Sequence, residues 1–130
     1  MKSFYKILLA GTAVLLFSGC TATETATTTK SQHLDTGQQE EVVVAPSSFH
    51  EACEKLSPGQ KAEFSFTTSK PVDFNVHYHT MEGAIYSVRE ENIASKSGEV
   101  TAEAKATYCC MWTNNHDVPV SLTYNLKIVE

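Results

Sequence analysis

The chain has 130 residues, with 10 Lys and Arg against 15 Asp and Glu, a formal charge of −5. That length holds one small domain. Arg89 is the single arginine and the lysines are scattered, so the clustered cations that grip a phosphate backbone are lacking and nucleic acid is excluded as a partner.

The chain opens with Lys2 and Lys6, then an apolar run over residues 7–17, then Ser18-Gly19-Cys20. An apolar run of this length is too short to span a bilayer, which takes about 20 residues. The ending resembles the lipobox of a bacterial lipoprotein, with Phe17 standing where that pattern has Leu, Val or Ile. The resemblance implies that residues 1–19 are a signal peptide, that Cys20 carries a lipid on its thiol, and that the new N-terminus is acylated. It also implies an outer-membrane protein facing the periplasm, because Thr21 stands where an Asp marks inner-membrane retention. The membrane partner is then reached through palmitate-like chains, since two or more acyl chains hold a protein stably. Loss of residues 1–19 removes two lysines, leaving 8 cations against 15 anions and a formal charge of −7.

Residues 20–46 read as a disordered tether. TATETATTTK and SQHLDTGQQEE contain almost no large apolar residue, so ordering them gains too little burial to offset the entropy. Val42-Val43-Val44 is taken as the end of this tether, with Pro46 close behind.

From residue 47 to 130 the pattern is that of short strands. Residues 49–56 fit a helix or a strand. Ser57-Pro58-Gly59-Gln60 is a turn, because Pro fixes φ and Gly permits positive φ. Residues 61–69 place Ala62, Phe64 and Phe66 on one face. Residues 72–80 place Val72, Phe74, Val76 and Tyr78 on one face and Asp73, Asn75, His77 and His79 on the other. Met81-Glu82-Gly83 predicts a turn, residues 84–88 a strand, Lys96-Ser97-Gly98 another turn, and residues 99–104 a weakly alternating strand. Residues 107–113 are apolar on both faces, as in a central strand. Asn114 to Asp117 forms a turn before residues 121–129, which place Leu122, Tyr124, Leu126 and Ile128 together. Half-buried alternation with frequent turns predicts an all-β fold, a small antiparallel sandwich of about seven strands. Trp112, Tyr78 and Tyr86 are expected in its core.

The closing segment YCCMWTNNHDVPVSLTYNLKI resembles the end of a GOLD-type domain, in which an aromatic-x-Asn on the penultimate strand precedes a polar turn and a final alternating strand. Cys53 and the Pro-Gly turn before KAEFSF fit the opening of that layout, so the resemblance covers residues 49–130. It implies an interaction module associated with cargo or lipid, and no catalysis. An immunoglobulin-like sandwich is the other candidate, with Tyr108-x-Cys110 suiting its tyrosine corner.

With Cys20 lipidated, Cys53, Cys109 and Cys110 remain in an oxidising compartment. Adjacent cysteines close a strained ring, so Cys53 is expected to pair with Cys109 or Cys110, leaving one thiol. The tyrosine corner favours Cys110; inward packing of Met111 favours Cys109.

Asn75, His77, His79 and Met81 are spaced by two, so one strand projects them on one face. Met111, with Cys109 or Cys110, lies on the strand of residues 107–113. Imidazole with thioether or thiolate suits Cu(I), which makes His77, His79, Met81, Cys109 and Met111 a candidate copper site. A Cys109/His77 nucleophile pair lacks an orienting group, and adjacent carboxylates such as Glu90-Glu91 diverge in a strand, so no enzyme is read here. These features predict a lipid-anchored envelope module that binds an envelope protein partner without a cofactor, or else a periplasmic copper binder.

Overall fold

The computed structural model describes residues 38–130. The signal segment, Cys20 and most of the tether lie outside the described residues.

Six strands form: β1 (Glu40–Val44), β2 (Ser48–Leu56), β3 (Lys61–Thr80), β4 (Gly83–Thr101), β5 (Ala106–Asn114) and β6 (Val120–Val129). All pairings are antiparallel, and no helix occurs among the described residues. β3 is the spine. One of its edges pairs with β4 from Lys61↔Thr101 to Thr80↔Gly83. The other edge is shared, with β6 along residues 61–68 and β5 along residues 73–78. β1 adds outside β6, and β2 outside β5. The sheet thus has two halves on one spine, and it curls so that their apolar faces meet. Phe66 of the first half stands 4.7 Å from Phe74 and 5.7 Å from Trp112 of the second, between ring centroids. Phe64, Leu56, Leu122 and Leu126 fill the rest of a continuous core.

Six strands replace the expected seven because two pairs of predicted neighbours fuse and β1 is added. Residues 61–69 and 72–80 are one strand. Their buried apolar residues are all even-numbered, from Ala62 to Tyr78, so the alternation crosses Pro71 in phase. Pro71, which has no N–H, falls where the β3–β4 register breaks between Thr67 and Val72. Residues 84–88 and 99 onward fuse likewise, and the expected turn at Lys96-Ser97-Gly98 is strand. Gly98 lies opposite Phe64, and a Cβ there would meet Phe64 Cζ at 2.8 Å. The glycine makes room for a ring instead of a bend.

Two further differences concern β1 and Tyr86. Residues 40–44 are not tether but an edge strand, with Val44 buried against Val120. Asn114 secures it: this fully buried side chain places Nδ2 within 2.9–3.1 Å of the carbonyls of Val44, Ala45 and Val118, while its Oδ1 accepts from His116 N. Tyr78 joins the core, but Tyr86 is exposed. A bulge between Val76 and His77 sets Tyr86 opposite His77 and turns it to the outer face. Residues 49–56, open between helix and strand, are strand β2. The turn at residues 57–60 forms as expected, with Gly59 at φ 89° and Gln60 N donating to Ser57 O. Trp112 is 1% exposed, and its indole N–H has no acceptor among the described residues.

Candidate functional site

The outer face of the second half is built in rows. Register places Cys53, Cys109, His77 and Tyr86 side by side across β2, β5, β3 and β4. The next row holds Glu51, Met111, Asn75 and Arg89. Cross-strand neighbours on one face lie about 4.5–5.5 Å apart at Cβ, so these side chains must touch.

The first row carries a disulfide between Cys53 and Cys109, whose Cα atoms are 4.1 Å apart. The β2–β5 register decides between the two candidates. Cys109 faces outward beside Cys53, whereas Cys110 faces the core. Burial pushes the Cys110 thiol up to about 12, so it stays protonated and unreactive. Met111 is directed outward with Cys109, opposite to the inward packing that pointed to this pairing. Tyr108 does form the corner hydrogen bonds, its hydroxyl accepting from Glu103 N and Ala104 N, without Cys110 being the bridged cysteine.

His77 is the centre of the face. Although its side chain is outward, it is only 5% exposed. Its Nδ1 is 2.7 Å from Asn75 Oδ1, and its Nε2 is 3.7 Å from Glu51 Oε1. The ring therefore reaches across β5 to a residue of β2, covering the Cys109 position. The rings of His79 and Tyr86 flank it at 5.0 and 5.7 Å. Loss of hydration holds the His77 pKa below its usual value; Glu51 opposes this and His79 adds to it. Arg89 lies 3.8 Å over the Tyr86 ring. A hollow of about 270 Å³ opens between Asn75, Met111, Tyr86 and Arg89.

The expected copper ligands do not converge. Cys109 is oxidised and has no thiolate to give. Met81 lies in the β3–β4 turn, fully exposed. Asn75, His77 and His79 do share one face, and Met111 sits in register with Asn75. No group of three or more His, Cys, Asp or Glu is gathered around a metal position among the described residues. Glu51 is the residue that sequence reasoning missed. Its parity with Cys53 was the available signal: a Cys53–Cys109 bridge beside His77 brings Glu51 to the same face.

A larger hollow, about 520 Å³, lies on the first half among Ser65, Thr67, Ser97, Thr123 and Lys96. Its lining is mostly hydroxyl and amide side chains, with Lys96 and Tyr124.

No family model matches the chain, and no curated protein sequence does. Two solved structures show partial likeness. One is a de novo designed double-stranded β-helix determined by NMR, with a TM-score of 0.43 at 16% identity, covering 69% of this chain and 99% of that one. The other is PliG of Aeromonas hydrophila, a periplasmic inhibitor of g-type lysozyme, with a TM-score of 0.49 at 16% identity, covering 69% of this chain and 85% of that one.

Proposed function

We propose that the chain is a lipid-anchored, non-catalytic binding module of the bacterial cell envelope, held at the outer membrane through Cys20 and facing the periplasm. Residues 1–19 serve as the signal, and the segment up to β1 as the tether. The curled sheet is assigned to a GOLD-like sandwich, a reading supported by the Trp112-x-Asn114 ending and the bonds that Asn114 makes to β1 and to the turn before β6.

The observation that carries the binding reading is the end of the β3–β4 hairpin. Met81 is fully exposed, and Tyr86 is 43% exposed. They adjoin the ordered polar rows of His77, Asn75 and Arg89. Exposed apolar groups beside fixed polar ones are the composition of a protein interface. Tyr86 and Arg89 are residue types that anchor such interfaces. The non-catalytic part rests on the cysteines: Cys109 is bridged and Cys110 is inert.

Two experiments test this. A photocrosslinking amino acid at Met81 or Tyr86, in living cells, is expected to give a discrete adduct with an envelope protein; the same group at Thr123, on the other half, is not. Equal labelling at all three positions removes the assigned face. Cys20→Ser is expected to abolish palmitate labelling and release the protein from the membrane. Retained labelling refutes the anchor while leaving the interface open to its own test.

A further inference from the structure

Three strands, β1, β2 and β4, each pair with a single neighbour and leave one edge open. An open edge presents unpaired N–H and C=O groups, a template for another strand, and chains blunt it with charges and bulges. Most of the open edge here is blunted in that way. β1 carries Glu40 and Glu41, with Pro46 close behind, and β2 carries Glu51, Glu54 and Lys55. The middle of β4 carries Arg89, Glu90 and Glu91, and Asn92 turns into the left-handed region at φ 55°. Residues 84–88 of β4, Ala-Ile-Tyr-Ser-Val, are the exception: an uncharged run on an open edge.

Both sides of this run are uncovered. Ile85 stands opposite Tyr78, which is buried in the core, so Ile85 lies on the apolar side of the sheet. It is nevertheless 43% exposed, because no strand follows β4. Tyr86, opposite His77 on the outer side, is open to the same extent. Arg89 lies over the Tyr86 ring and forms no ion pair among the described residues; Glu90 is held instead by Lys96 at 2.7 Å. A strand laid along this edge is therefore complementary when it places an apolar side chain over Ile85 and a carboxylate at Arg89.

Given the interface assigned to this hairpin, on which the inference rests, we propose that residues 84–88 bind an extended segment of the envelope protein partner, which joins the sheet as a further strand beside β4. A second copy of the chain does not fit. Twofold pairing of β4 with itself is antiparallel, and opposed residues then share a face. The bulge between Val76 and His77 leaves Tyr86 outward and Val88, opposite Val76, inward. Twofold pairing about Ser87 sets these two against each other. Pairing about Tyr86 does the same to Ala84 and Val88, and pairing about Ile85 runs into the turn at Glu82. An unrelated strand is free of that symmetry.

The test is photocrosslinking in living cells from each of positions 84 to 88 of the full chain in turn, with the captured residue located by mass spectrometry. An added strand gives captured residues that advance in one direction along a single segment of the partner as the crosslinker moves along β4. That segment should be apolar opposite Ile85 and carry Asp or Glu at Arg89. Ile85→Lys and Arg89→Glu should each reduce the adduct formed from Met81 by about tenfold or more, while Ser97→Lys, further along β4, leaves it unchanged. Ile85 and Arg89 are exposed, so both variants should melt with the parent. Adducts from Met81 and Tyr86 without a directional progression overturn the added strand and leave the interface standing. Capture of β4 of a second copy, or adducts indifferent to both variants, overturns it as well. Absence of any adduct removes the interface and the added strand together.

Discussion

The two halves of β3 share one alternation and one partner strand, β4, yet they differ in what they present outward. The first half shows Ser65 and Thr67, flanked by Ser97, Ser95, Thr123 and Asn125 from β4 and β6. The second shows Asn75, His77 and His79, flanked by Tyr86, Arg89, Met111, Cys109 and, one strand further, Glu51 and Cys53. A strand contributes only every second side chain to a face. The chemistry of that face is then set by which strands its edges recruit. Here the switch from β6 to β5 along one edge separates a surface of hydroxyls with Glu63, Glu99 and Lys127 from one of imidazoles, a guanidinium over an aromatic ring and a crosslink.

The residue at the junction tests whether the halves stand together. Phe74 is 1% exposed and packs on Phe64, Phe66 and Trp112. Phe74→Ala is expected to cost about 3–5 kcal/mol, the range for a large core ring replaced by a cavity. Native-state hydrogen exchange should show protection falling in β6 and β5 alike. Loss confined to one half would mean that the halves have separate cores.

The next two substitutions act on one half each. Cys53→Ser opens a crosslink of sequence separation 56 and should lower stability by about 3–4 kcal/mol. The extra exchange should appear in β2 and β5 before β1 and β6. Thiol counting on the denatured, unreduced protein with Cys20 blocked should give one, from Cys110. Gly98→Ala drives a methyl into Phe64, which register places in the first half. Overpacking of this kind costs about 1–3 kcal/mol. It should loosen β4 and β6 while leaving the disulfide and the His77 rows intact. A neutral result would mean that the Phe64 ring shifts freely, and that Gly98 is not required by packing.

Much of this was legible in residue parity. The even-numbered apolar run from Ala62 to Tyr78, the outward row of Asn75, His77 and His79, and the turn at Pro58-Gly59 all follow from period-two alternation and from what Pro and Gly allow. Three features were hidden for a common reason: each depends on what lies across the strand. Pro71 and Gly98 are ordinary punctuation when read along the chain. Opposite a register break and an aromatic ring they sit inside strands. Tyr86 changes face because of a bulge that no single strand encodes. Glu51 belongs to the site only because β5 lies between β2 and β3 and His77 is long enough to cross it. The choice of Cys109 over Cys110 has the same origin, since only pairing with β2 says which cysteine shares a face with Cys53.

The smallest expected effect acts at both the seam and the site. His50 lies at the seam, stacked on Trp112 of β5 and beside Tyr124 of β6, its Nε2 3.4 Å from the Tyr124 hydroxyl. Loss of hydration lowers its pKa from the usual 6.5, against the attraction of Glu51. His77 is lowered for the same leading reason. In both cases the folded chain holds the proton less tightly than the unfolded chain. Between the folded and unfolded pKa values the unfolded state therefore binds more protons, and stability rises with pH there. The contribution is complete above about 6.5 and is lost as the pH falls through that value, levelling off below the folded pKa values. Thermal melts in the presence of chelator should thus be flat from pH 8 to 7 and decline toward pH 5.5. His50→Phe keeps the aromatic stack and removes one titration; His77→Gln keeps a polar group in place and removes the other. The double variant should lose most of the decline above pH 5.5. An unchanged slope would assign the acid sensitivity to the carboxylates, and the seam would then be insensitive to pH in this range.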